Sequence, residues 1–225
     1  MMYSNKQIMD AIRSIPAMPS AAMKVMELYQ SPEAEVEDLK RAIEYDPGLT
    51  SNVLKLANSV YFAGPRTVGT VKEAIVRLGL PRVFQLTIAA AVSPLAWQEV
   101  QGYGLKPGQL LEHTISVAVG CEQIAAALGK RAPSYAFTAG ILHDVGKVVL
   151  GTFLNVDATP IVNFAIERHI PFDEAEQELL GVSHAEVGAT LLESWNLPPL
   201  VVDAVRCHHC PTDVKGDVFA TDLVH

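Results

Sequence analysis

The sequence predicts an all-α protein. Apolar residues recur at helical spacing along nearly the whole chain, and capping residues, prolines and glycines punctuate it as helix starts and stops. The alternation expected of strands is essentially absent, since the valine-rich pieces sit inside helical spacing.

Ser4 and Gln7 can form a capping box opening a helix toward Arg13. Ile15-Pro16-Ala17-Met18-Pro19 breaks it, because each proline removes a donor and biases its predecessor to extended backbone. Ser20 restarts a helix with Ala22, Val25, Met26 and Tyr29 on one face, and Ser31-Pro32 is expected to begin the next, with Val36, Leu39 and Ile43 inward. That helix ends near Asp46-Pro47-Gly48, where Asp46 reads as a turn or cap residue, and Leu49 to Asn58 repeats the pattern. Thr70 with Glu73 marks another capping box, Gly79 its stop, and Val83 to about Val92 a further apolar helix. The Gly- and Pro-bearing stretch from Gln101 to Gly108 is the expected boundary between residues 1–104 and residues 105–225, two helical subdomains of one domain.

The second half opens with a helix from about Gln109 to Leu128. A helix bearing His143 and Asp144 follows, then helices near Thr159–Arg168 and from Asp173, with Glu176 as its capping-box partner, to Leu180. Ser183 and Glu186 place His184 in a first helical turn, and Pro198-Pro199 opens a helix whose C-terminal end carries His208-His209. The sequence ends at Thr221–His225 without a helix-stop signal, which predicts a piece of a longer protein.

With 225 residues, 49% of them hydrophobic, the chain can bury a sizeable core. Its net charge of -8 and singly scattered Lys and Arg argue against a duplex nucleic-acid or anionic-membrane partner, while a nucleotide bound through metal ions stays compatible. Three cysteines make no disulfide framework, the N-terminus lacks the apolar core of a signal peptide, and the longest apolar run is broken by Ser93-Pro94. A cytoplasmic protein is expected.

Chemistry concentrates in Gly140-Ile141-Leu142-His143-Asp144-Val145-Gly146-Lys147. A carboxylate in so apolar a setting needs a partner, either a metal ion or a hydrogen-bond network. His113, His143, His184 and His208 each lie beside apolar neighbours, and Asp222 sits between Ala220 and Leu223. Neutral imidazoles with carboxylates form a ligand set for iron, manganese or zinc, and a carboxylate shared by two ions suits hydrolysis of a phosphoester. The Cys207-His208-His209-Cys210 run does not make a zinc knuckle, because four neighbouring residues cannot surround one tetrahedral ion. His169 reads as a surface residue at a helix end, and Arg206 as reaching either substrate or solvent.

The ordered series His113, His143-Asp144, His184, His208-His209 and Asp222 resembles the ligands of the HD superfamily of metal-dependent phosphohydrolases. Within it the chain is most similar to HDOD domains, relatives of the HD-GYP phosphodiesterases found in bacterial signalling proteins. Ile15-Pro16-Ala17-Met18-Pro19, Asp46-Pro47-Gly48-Leu49, Leu56-Ala57-Asn58-Ser59, Ala74–Leu80, Gly181–Gly188 and Trp195-Asn196-Leu197-Pro198 carry the same resemblance. It implies an HD-type helical core with an N-terminal helical subdomain. It implies one metal on His113, His143, Asp144 and Asp222, and a second on Asp144, His184, His208 and His209. Asp144 would then be a catalytic bridge, and Lys147 would match the lysine that faces substrate phosphate, unless it only solvates a helix face. Gln109 stands where some relatives have a glutamate ligand, and no Gly-Tyr-Pro triplet follows His209. Two readings follow: a signal-transduction domain with a signalling protein partner, or a phosphohydrolase acting on a nucleotide or cyclic dinucleotide.

Overall fold

The computed structural model describes residues 3–62, 64–133 and 135–225. Among them there is no strand, only an isolated bridge between Val100 and Leu105. The fold is all-α, and no helix among the described residues is long and apolar enough to cross a membrane.

The helices are α1 (Asn5–Ser14), α2 (Ser20–Gln30), α3 (Val36–Glu44), α4 (Pro47–Ala57), α5 (Val71–Leu78), α6 (Leu80–Ala96) and α7 (Gln109–Ala127). There follow α8 (Ala136–Leu142), α9 (Val145–Val148), α10 (Thr159–Arg168), α11 (Phe172–Leu180), α12 (His184–Ser194), α13 (Pro199–Arg206) and α14 (Val218–Val224). A 3₁₀ turn spans Gln101–Tyr103, and one turn of π-helix spans Val149–Phe153.

The chain forms two compact units, residues 17–94 and residues 1–16 with 95–225. The expected division after Gly104 thus falls elsewhere, and the first helix joins the C-terminal half. Long-range hydrogen bonds tie the start of the chain there: the Tyr3 backbone N–H donates to Leu180 O at 2.9 Å, and its hydroxyl donates to Leu154 O at 3.3 Å.

In the unit of residues 17–94, α3 packs on α2, α4 and α5. Ala22, Val25, Ile43 and Val53 are buried, and the rings of Tyr29 and Phe84 stack at 3.9 Å. Asp46 caps α4, its Oδ1 accepting from the Gly48 and Leu49 amides at 2.9 and 3.0 Å, so this helix starts at Pro47 rather than Leu49. Thr70 caps α5 as expected. Ser31, by contrast, does not start α3: its amide closes α2 on Leu28 O, and α3 begins after Glu35, whose N–H donates to Asp38.

In the other unit, α8 and α14 pack on α7, α12 packs on α9 and α13, and α13 also meets α8. The approach of α9 to α12 is possible because residues 146 and 188 are glycines. A Cβ on Gly146 would lie 1.9 Å from His184 O and 2.7 Å from Gly188 N. Ser4 makes the full capping box with Gln7.

Candidate metal centre

The His143–Asp144 pair does not lie within a continuous helix. The helix α8 ends at Leu142, His143 follows it, and Asp144 precedes the short α9. This break turns two adjacent side chains into the same buried space, where His143 is 5% and Asp144 2% exposed. Ser183 caps α12 through the Glu186 amide, so His184 opens that helix as expected. His208 and His209 lie just beyond α13, which stops at Arg206, rather than on its last turn.

Among the described residues, potential ligand atoms converge in two groups: His113, His143 and Asp144, and His184, His208 and His209. Asp144 faces both. Its Oδ2 is 3.4 Å from Nε2 of both His113 and His143, and its Oδ1 is 3.3 Å from Nε2 of His184. Nε2 of His184 in turn lies 3.0 Å from Nε2 of His209. Six of the seven expected ligands are thereby brought together. Asp222 is exposed on α14 and belongs to neither group.

The ring orientations are fixed from behind. His143 Nδ1–H donates to Gly140 O at 2.7 Å, and His208 Nδ1–H donates to Val205 O at 2.6 Å. His184 Nδ1–H donates to Glu176 Oε2 at 2.6 Å. A proton held on Nδ1 leaves the Nε2 lone pair of each ring directed at the centre, the arrangement of metal-ligating histidines. His208 Nε2 and Asp144 Oδ1 are both buried without a hydrogen-bond partner. Buried polar atoms normally find partners, so two orphans in one place fit a site for a cation. The donor set, neutral imidazole with carboxylate, suits a divalent transition metal.

Charge follows the same geometry. Burial pushes His208 down to about 2, helped by His143, His209 and His184, so it stays a neutral donor at physiological pH. Burial also lowers His184, but the Asp144 and Glu176 carboxylates beside it prevail and raise it to about 8. Burial works against the Asp144 anion, yet the surrounding imidazoles hold it well below the usual carboxylate range. A proton on His184 occupies the place a cation would take, and binding a metal must release it.

Lys147 donates to Asp144 Oδ2 at 2.7 Å and is partly exposed, at the edge of the centre. Arg206 pairs with Glu186 and Glu193 on α12, so the substrate-facing alternative for it is not realised. His169 is an exposed C-cap of α10 in the left-handed region, as a surface residue would be. Cys207 is half-buried and Cys210 exposed.

Glu176 corrects the sequence reading. It is not the capping partner of Asp173, because α11 already begins at Phe172, and its side chain is fully buried against His184 and Tyr103. The signal was present: Glu176 stands midway in the apolar stripe Phe172–Leu180, where a solvated carboxylate does not belong. Tyr103 lay hidden in a stretch that reads as a linker.

The chain matches the HDOD domain family over residues 15–211. It is similar, at 30% identity and a TM-score of 0.76, to a Shewanella amazonensis SB2B protein named "putative phosphohydrolase", the match covering 100% of this chain and 79% of that one. It is similar, at 26% identity and a TM-score of 0.75, to a "putative signal transduction protein" from Marinobacter aquaeolei VT8, covering 97% of this chain and 52% of that one. An uncharacterized protein of Treponema pallidum (strain Nichols) is 28% identical over 203 residues, 90% of this chain. The chain spans only 39% of that relative's length.

Proposed function

The chain belongs to the HDOD family, and on that footing we propose that it is a bacterial signal-transduction domain that retains an HD-type, dinuclear metal site. The observation that carries the metal reading is the buried, unpartnered Nε2 of His208, set by its Nδ1–H···O bond to Val205. His113, His143 and Asp144 would hold one ion, and Asp144, His184, His208 and His209 the other, with iron, manganese or zinc as the candidates. The signalling half of the proposal draws support from the Marinobacter relative, whose name describes signal transduction. A signalling protein is the proposed partner and the cytoplasm the proposed location.

A second reading has its own observation: Lys147 stands at the edge of the centre, paired with Asp144 and partly in solvent. Under it the protein is a phosphohydrolase acting on a nucleotide or cyclic dinucleotide. The bound ions would supply Lewis acidity to a phosphoryl group and lower the pKa of a water molecule. Lys147 would place a point charge on the phosphate oxygens, exchanging Asp144 for substrate. The backbone carbonyls of Gly140 and Val205 and the Glu176 carboxylate would keep the imidazoles aligned.

One experiment separates the two. The purified protein, supplied with Mn²⁺ or Fe²⁺, is assayed against cyclic dinucleotides and bis-p-nitrophenyl phosphate beside its Asp144→Asn variant. The signalling reading predicts no turnover that depends on Asp144. Turnover that disappears in the variant establishes the phosphohydrolase instead.

A further inference from the structure

The fully buried carboxylate of Glu176 makes three hydrogen bonds, and all three bear on the metal centre. Its Oε2 accepts from His184 twice, from Nδ1–H at 2.6 Å and from the backbone amide at 2.8 Å. Its Oε1 accepts from the Tyr103 hydroxyl at 2.5 Å. Tyr103 comes from the 3₁₀ turn and lies 73 residues away in sequence, and its ring also meets Phe172 edge-on at 6.0 Å. Phe172 in turn lies 6.4 Å from the His184 ring.

A fully buried carboxylate carries a desolvation cost that a neutral residue would avoid. The other two buried imidazoles, His143 and His208, are oriented by backbone carbonyls at no such cost. His184 alone of the three is oriented by an anion, and it is the ring whose Nε2 faces Asp144 on one side and His209 on the other. A carboxylate behind a ligating imidazole fixes its tautomer and makes Nε2 a stronger donor to a cation. Tyr103 holds the second oxygen and so fixes the plane of the carboxylate.

We propose that Glu176 and Tyr103 are positioning residues for metal binding, a Tyr103–Glu176–His184 relay that clamps the backbone and ring of His184 and strengthens its Nε2 toward the ion shared with His208 and His209. This rests on the metal reading above. A merely structural cluster would be served equally well by an uncharged glutamine, which can still accept from the ring and amide of His184.

The test is the affinity of the metal-stripped full chain for Zn²⁺, measured by competition with a chromophoric chelator, for the native protein, Glu176→Gln, Tyr103→Phe and the double variant. Glu176→Gln is expected to stay folded, with an unchanged far-UV spectrum, and to bind one of its two ions on the order of 10–100-fold less tightly. Tyr103→Phe is expected to weaken binding by a smaller factor, about two- to tenfold, and to add nothing in the double variant because it acts through Glu176. A folded Glu176→Gln that binds within about twofold of the native protein overturns the proposal. If Glu176→Gln does not fold, Tyr103→Phe decides alone, and unchanged affinity there overturns the relay. Failure of the native protein itself to bind Zn²⁺ refutes the underlying metal reading, a result distinct from either.

Discussion

Replacing Asp144 by asparagine strikes the one side chain that faces both ligand groups. In the metal-free protein the loss is confined to the ion pair with Lys147 at 2.7 Å and the contacts to three imidazoles. Removing one partner of a buried pair costs about 3–5 kcal/mol. The Lys147 side chain is 21% exposed and can turn to water, which brings the expected loss to about 1–2 kcal/mol. The metal-linked part is separate. At a free metal concentration a hundredfold above Kd, one bound ion stabilises the native state by about 2.7 kcal/mol. For a chain of this size 1 kcal/mol moves Tm by about 2–4 °C, so the native protein should gain roughly 5–10 °C for each ion bound. Thermal unfolding with Zn²⁺ and with chelator, for the native protein and Asp144→Asn, measures both terms. The variant is expected to melt a few degrees lower in chelator and to lose most of the metal-dependent increment. A variant that keeps the full increment would remove Asp144 from the ligand set.

Gly146→Ala drives a Cβ into two backbone atoms, His184 O and Gly188 N. Overpacking of this kind costs about 1–3 kcal/mol or more, and urea unfolding of the variant with metal chelated should show the loss; a native midpoint would mean that α9 and α12 separate freely. For the chelated native protein, stability should peak near pH 6.5. His208, pushed to about 2, leaves a proton that only the unfolded chain takes up as pH falls below its ordinary 6.5, so stability drops on the acid side. His184, raised to about 8, contributes stability that is fully present below 6.5 and is lost as pH rises through 8. Each proton is worth about 1.4 kcal/mol per pH unit, and a stability that climbs steadily from pH 6.5 to 8.5 would contradict the His184 assignment. Asp222→Asn is expected to leave metal content unchanged, because Asp222 is exposed and outside both groups; loss of an ion in that variant would restore it to the ligand set.

Much of this centre is legible in the sequence because its parts obey local rules. Ser4, Asp46, Thr70 and Ser183 cap helices through amides two or three residues away, and such pairs can be read directly. His143, Asp144, His184 and His208 announce themselves as polar groups among apolar neighbours. What stays hidden depends on distant partners. Glu176 carries the spacing of a capping box, and only the arrival of His184 and Tyr103 shows that it faces inward. Arg206 finds its carboxylates on α12, 20 and 13 residues earlier. The break between α8 and α9 at the His-Asp pair has no proline to mark it; glycine at 146 permits the close approach to α12 that accompanies it. Tyr103 sits in a glycine-bearing stretch that looks like a boundary, yet its hydroxyl reaches Glu176 behind His184.

The claim on which the rest depends is that these imidazoles and Asp144 bind metal. Anomalous scattering from crystals of protein purified without chelator, with elemental analysis of the same sample, addresses it directly. Iron, manganese or zinc is expected at near-stoichiometric level, with anomalous peaks between His143, Asp144 and His184. Less than about one tenth of an equivalent, and no peak there after soaking with Zn²⁺, would contradict it.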